Sequence, residues 1–230
     1  MSVIAAFIST RDGTVASDGR RFKSVVLVNG VPTEPPSITA DDFDKTFSLG
    51  DGKVVGAFCG LLEFSGATVP EHIRDITEGS FSGGTTLLQI VDLIEQQLTN
   101  RLNQIDDGEV IPPCRNVDLL LVGGAQLSRG DVRIAGIRFC GQPDGVTPAR
   151  DIVSADKANR YYVYGEDLAR AAAARTFDNN HVASSDSGFL MKLVRQAINA
   201  GIQNCGVQKH GTHRACGCLL YTSPSPRDRS

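Results

Sequence analysis

The chain has 230 residues, with 23 basic and 26 acidic side chains and a formal net charge of −3. At 41% hydrophobic and 21% charged residues, it reads as one globular domain, able to bury about 70–75% of its unfolded surface without disulfide or metal staples. No basic stripe supports a nucleic-acid role, no apolar run approaches the ~20 residues of a membrane span, and 6% aromatics without tryptophan disfavour base- or sugar-stacking.

Ser2–Thr10 is apolar and rich in β-formers, Arg11-Asp12-Gly13 supplies a turn, and Thr14–Ser17 resumes. Residues 2–18 therefore read as a β-hairpin. Val25–Val28 is a short strand, followed by the turn-rich loop Asn29–Ser37. Lys45–Leu49 and Val54–Cys59 flank Gly50-Asp51-Gly52 as a second hairpin. Thr85–Leu102 carries Leu87, Leu88, Val91, Ile94, Leu98 and Leu102 at amphipathic helical spacing.

Val117–Val122 reads as a continuous apolar strand closed by Gly123-Gly124, with Val132–Phe139 as its alternating partner. Tyr161–Tyr164 is a strand, Glu166–Phe177 an alanine-rich helix, and Asp186–Asn204 a further helix with Ser184, Ser185 or Asp186 as N-cap. The run Ala171–Ala174 suits close helix packing. Hairpins, a helix pair, a hairpin and a second helix pair, in that order, predict an α+β fold of antiparallel sheets covered by helices.

The termini are read separately. MSVIAAFIST lacks a basic segment and a cleavage site, so it is not read as a signal peptide. The six cysteines, at 59, 114, 140, 205, 216 and 218, have no repeated spacing and read as reduced, mostly core residues of a cytoplasmic protein. Cys205, His210, His213 and Cys216 stand too close in sequence for the usual zinc pairs, so no metal and no cofactor is expected. The segment beginning Cys218-Leu-Leu-Tyr-Thr-Ser back-translates to a transposon-end tag used in library preparation. Residues 1–217 are accordingly read as one domain, and 218–230 as a sequencing-adaptor artefact.

Four stretches then carry a resemblance. Ser2-Val-Ile-Ala-Ala-Phe, the turn Val15-Ala-Ser-Asp18-Gly-Arg20, the run Lys45-Thr-Phe-Ser-Leu49 with Asp51 to Gly60, and Leu119-Leu-Leu-Val-Gly-Gly124 resemble, in order and spacing, the proteasome β-subunit family, most closely its bacterial HslV-like peptidases. Ser2 and Asp18 stand sixteen positions apart and Lys45 and Gly60 fifteen, as in that family; the interval between Asp18 and Lys45 is longer, with the excess in the Asn29–Ser37 loop.

The resemblance implies a four-layer αββα sandwich of the N-terminal-nucleophile hydrolase type. It also implies that Ser2, freed by removal of Met1, attacks a peptide carbonyl with its own α-amine as general base. Lys45 would favour the alkoxide, Asp18 would hold Lys45, and the Gly60 N–H would form the oxyanion hole. Phe22, Phe58 and Leu62 would line an apolar pocket for the residue before the scissile bond. A self-compartmentalising homo-oligomeric ring, peptide or unfolded-protein substrates and an ATPase unfoldase partner come with the same resemblance, with no nucleic acid and no membrane.

The sequence departs from the family at three places. Tyr164-Gly165-Glu166-Asp167 stands where the family has a Gly-Ser-Gly turn, and a carboxylate there is expected to disturb the polar network around the nucleophile. The nucleophile is Ser rather than Thr, losing the methyl that fixes the rotamer. Asn204-Cys205-Gly206 stands where a late Asp and Ser are expected. Two alternatives therefore stand beside the peptidase: an inactive proteasome-like structural or regulatory subunit, and an amidase of the wider class acting on small amides.

Overall fold

The computed structural model describes residues 2–19, 21–22, 27–28, 31–32, 38–40, 43–127, 129–155, 159–180, 187–204 and 219–223. For the short strands between 21 and 40, for 129–130, for 187 and for 219–223, the backbone alone is described.

The chain opens with the hairpin β1 (Val3–Ile8) and β2 (Gly13–Ser17). Its turn is tied by Ser9, whose Oγ accepts the N–H groups of Arg11 at 3.2 Å and Asp12 at 3.0 Å. Four short strands follow: β3 (Arg21–Phe22), β4 (Leu27–Val28), β5 (Val31–Pro32) and β6 (Ile38–Ala40), with β3 paired to β6 and β4 to β5. The second long hairpin is β7 (Thr46–Leu49) and β8 (Val54–Gly60), and a small one is β9 (Glu63–Phe64) and β10 (Ala67–Thr68).

Helix α1 (Val69–Thr77) has no counterpart among the expected spans. Its signal is the capping box Thr68-Val-Pro-Glu71, in which Thr68 and Glu71 bond each other's backbone N–H groups. It supplies the second member of the first helix pair. α2 (Leu87–Asn103) starts from an equivalent box at Thr86 and Gln89, two residues inside the start of the span its periodicity marks.

β11 (Val117–Gln126), β12 (Arg129–Gln142) and β13 (Gly145–Ser154) form a meander, one strand longer than the expected hairpin. β14 (Arg160–Gly165), α3 (Asp167–Asn179) and α4 (Ser187–Asn204) match their expected spans; the candidate N-caps of α4 lie outside the described residues. β15 (Leu219–Ser223) comes last.

The strands make two large antiparallel sheets, ordered β14-β1-β2-β15 and β13-β12-β11-β8-β7. Three apolar clusters set the layer order. Ile4, Ala6, Ile8 and Val15 of the first sheet pack against Val55, Ala57, Leu120, Val122 and Ile134 of the second. Val3, Ala5 and Phe7 face α3 and α4 through Ala169, Ala173, Phe177, Leu193 and Ile198. Val54, Phe58, Leu119 and Leu121 face α1 and α2 through Ile73, Ile90, Ile94 and Leu98. The order is thus helices, sheet, sheet, helices.

Burial on both faces explains why β1 reads Val-Ile-Ala-Ala-Phe-Ile without polar alternation: every residue of it is buried. The Ala171–Ala174 run is only partly a packing surface. Ala172 and Ala173 are buried, Ala173 in the cluster shared with α4 and the first sheet, and Ala171 is exposed.

One expectation changes here. Of the described cysteines only Cys59 is buried; Cys114 is exposed and Cys140 intermediate, because Cys114 sits in a 3-10 turn (Pro112–Cys114) on the surface. Within the segment read as foreign, Leu219–Ser223 pairs antiparallel with β2, Leu219 opposite Ser17. Any extended segment can add to an open antiparallel edge through backbone bonds alone, so this pairing is indifferent to the origin of those residues. Among the described residues, no helix is long and apolar enough to cross a membrane.

Candidate functional site

Ser2 immediately precedes β1, Asp18 immediately follows β2, and the hairpin brings them side by side. The Asp18 N–H donates to the Val3 carbonyl at 3.0 Å, and the Val3 N–H donates to Asp18 Oδ1 at 3.3 Å. Lys45 comes from the other sheet. Its carbonyl accepts the Phe58 N–H at 3.0 Å, extending the β7–β8 ladder by one step. Asp44, the residue before it, takes both the N–H and the hydroxyl of Thr46 on one carboxylate oxygen, at 2.8 and 2.7 Å, which fixes the chain on either side of Lys45.

From there the Lys45 ammonium crosses between the sheets. It donates to Ser2 Oγ at 2.8 Å and to Asp18 Oδ1 at 3.0 Å. Lys45 is 0% exposed and Asp18 3%. Burial pushes the Asp18 carboxyl above its ordinary range, against the opposing pull of Lys45 and of the Val3 N–H. A buried ammonium on a hydroxyl oxygen favours that hydroxyl's ionised form, and the carboxylate behind it offsets the cost of keeping the ammonium dry. The arrangement is therefore suited to activating the Ser2 hydroxyl as a nucleophile.

Gly60 ends β8, two residues beyond the strand position that bonds Lys45. Its φ is +100°, and a Cβ there would lie 2.2 Å from the Asn116 carbonyl, so no other residue fits without backbone movement.

The neighbouring Cys59 is a poor rival nucleophile. It is buried, its thiol is pushed well up by burial and by the nearby Asp118, and its Sγ lies 3.8 Å from Asp118 Oδ2. Asp118 accepts Arg138 Nε at 3.0 Å on its other oxygen. This polar group on the inter-sheet face was hidden in a strand read as continuously apolar; the lone carboxylate at its second position was the available signal.

The candidate pocket residues fare differently. Phe58 is 0% exposed and belongs to the cluster under α1 and α2. Strand alternation turns Cys59 toward the inter-sheet space and Phe58 away from it, so Phe58 is a core residue and not a pocket wall. Leu62 is half-buried and packs on the same cluster. Phe22 stands in β3 opposite Ile38, and its side chain lies outside the described residues.

The expected disturbance by Glu166 does not occur as anticipated. Its carboxylate accepts the Ala169 N–H at 3.0 Å, as N-cap of α3, and its own N–H donates to the Ser2 carbonyl at 3.1 Å. The Cys205, His210, His213 and Cys216 group lies outside the described residues; of Asn204-Cys205-Gly206, where the late Asp and Ser are expected, Asn204 alone is described, its amide donating to the Ala200 carbonyl at 2.8 Å. Among the described residues no group of three or more metal-ligating side chains could hold an ion.

Compared with known proteins, the chain matches no family model and no curated protein.

Proposed function

We propose that the protein is a hydrolase of the N-terminal-nucleophile class, a peptidase similar to proteasome β-subunits, with Ser2 as nucleophile. The observation that carries this reading is the Lys45 ammonium 2.8 Å from Ser2 Oγ and 3.0 Å from Asp18 Oδ1, wholly inside the protein. The two antiparallel sheets between two helix layers support it, since that is the sandwich the resemblance implies.

Removal of Met1 leaves the Ser2 α-amine beside its own hydroxyl. With an ordinary pKa of about 7.7–8.0, that amine accepts the hydroxyl proton as Oγ attacks a peptide carbonyl. Lys45 stabilises charge developing on Oγ, and the Gly60 N–H is assigned to the carbonyl oxygen as it becomes an oxyanion. The C–N bond breaks and the proton passes from the amine to the leaving group. An ester to Ser2 remains, and water activated by the same amine hydrolyses it. Leu62 and Phe22 remain the pocket candidates. Peptide or unfolded-protein substrates, a homo-oligomeric ring, an ATPase unfoldase and a cytoplasmic setting belong to the same proposal.

The test is intact-mass spectrometry after exposure to a β-lactone. The proposal expects a chain lacking Met1 and carrying one adduct, mapped to Ser2 and absent in Ser2→Ala. A retained Met1, or a Met1-free chain that takes no adduct, would favour the inactive structural subunit. Casein offered beside small acyl-amides then separates peptidase from amidase.

A further inference from the structure

Ser2 is held from two sides. Its hydroxyl is fixed by Lys45, and its carbonyl by the N–H of Glu166 at 3.1 Å. We infer that Glu166 is a positioning residue for Ser2, acting by locking the first turn of α3 to the start of β1. This deepens, and rests on, the hydrolase reading.

The β14–α3 corner is shaped around the Ser2 carbonyl. Gly165 pairs with Val3 at the end of β14, with φ +133°. A Cβ there would lie 2.2 Å from the Ser2 oxygen and 2.8 Å from Val3 Cα. Only glycine lets the corner come this close to the first residues of the chain.

Glu166 then turns the chain into α3. Its side chain accepts the Ala169 N–H at 3.0 Å, and its carbonyl accepts the Arg170 N–H at 2.8 Å. Three backbone or cap bonds thus meet at one residue, and one of them reaches Ser2. The helix behind it does not yield easily. Ala169 is 1% exposed, and its carbonyl and the Val3 side chain both crowd Gly201 of α4, at 3.0 and 3.2 Å from an added Cβ.

The carboxylate is therefore engaged as a helix cap, and through that cap it holds the peptide plane that carries Ser2. Without the cap the first turn of α3 frays, the Glu166 N–H drifts, and the Ser2 hydroxyl loses its fixed approach to an acyl group. Misplacement by about 1 Å can cost about 10²-fold in rate.

Two measurements on the full chain test this. The first is backbone hydrogen exchange at the Glu166 N–H, which reads the bond to the Ser2 carbonyl whether or not the protein is a hydrolase. The second is the rate of acylation of Ser2 by a β-lactone. Both are made on Glu166→Ala, which removes the cap, and on Glu166→Asp, which restores a cap acceptor.

The expected result is a protected amide in the wild-type chain, about tenfold lost protection and about tenfold slower acylation in Glu166→Ala, and recovery of both in Glu166→Asp. Unchanged exchange and acylation in Glu166→Ala would overturn the inference, as would an unprotected Glu166 amide in the wild-type chain. So would equal losses in both variants, which mark a merely structural side chain. If the wild-type chain takes no acyl group, the hydrolase reading fails and the exchange data alone decide the positioning claim.

Discussion

Lys45 and Asp18 make the clearest demand on the sequence, because neither is tolerable where it sits without the other. Lys45→Met leaves Asp18 buried, with the Val3 N–H its remaining hydrogen-bond donor among the described residues, and should cost about 3–5 kcal/mol. Lys45→Met with Asp18→Asn should recover most of that loss, since asparagine keeps an acceptor for Val3 and carries no charge. A double-mutant cycle by denaturant titration reads the coupling, and simple additivity would contradict it.

The sign with pH follows from the raised Asp18 carboxyl. A carboxyl whose folded pKa lies above the unfolded value of about 3.9 binds its proton more tightly in the folded state. Its contribution to stability is therefore present below about pH 3.9 and is lost as pH rises through the folded value. In Lys45→Met the lowering influence of the ammonium is gone, so the stability deficit should grow with pH across the carboxylate range and flatten above it. A deficit that shrinks with rising pH would contradict the assignment. At the same scale, Gly165→Ala should destabilise by about 1–3 kcal/mol through the contact with the Ser2 carbonyl, read as a lowered denaturation midpoint.

The long elements were the most legible in the sequence. α2, α3 and α4 announce themselves by apolar spacing or alanine content, and β7–β8 by a glycine-rich turn. α1 carries Val69, Ile73 and Ile76 at helical spacing, but over nine residues that pattern spans little more than two turns; its capping box is the sharper mark. Thr68→Ala and Thr86→Ala should each cost about 1 kcal/mol. The two boxes head different helices, so the losses should add in thermal unfolding of the double variant; a loss near zero at Thr68 would mean that tertiary packing alone holds α1.

β13 was missed because its Thr-Pro-Ala-Arg-Asp run is mostly exposed and carries no buried alternation. In the site, Ser2, Asp18 and Lys45 were legible through the resemblance to the proteasome β-subunit family, which implies the three side by side; residue type alone does not bring them together. The Gly165–Glu166 contact to Ser2 was not, since a backbone N–H leaves no signature in residue type. Phe58 was misassigned for a different reason: its apolar type suits a pocket and a core equally, and only the alternation of β8 separates them.

For the whole molecule, the layer order explains why the site lies where it does. Ser2 and Asp18 end strands of one sheet, Lys45 begins a strand of the other, and the ammonium joins them across the inter-sheet space. An apolar cluster from Ile4 and Val15 to Val55 and Leu120 presses the two sheets together, and the ion pair that joins them is buried. A change that separates the sheets should therefore loosen the Lys45 contacts to Ser2 and Asp18.

The most direct measurement is kcat/KM for a fluorogenic peptide on the wild-type chain, Ser2→Ala and Lys45→Arg, each shown folded by circular dichroism. The wild-type chain should cleave it, Ser2→Ala should not, and Lys45→Arg, whose planar head cannot place a point charge on both oxygens, should fall by about 10²–10⁴-fold. Cleavage by the wild-type chain that survives unchanged in either variant would contradict the central claim.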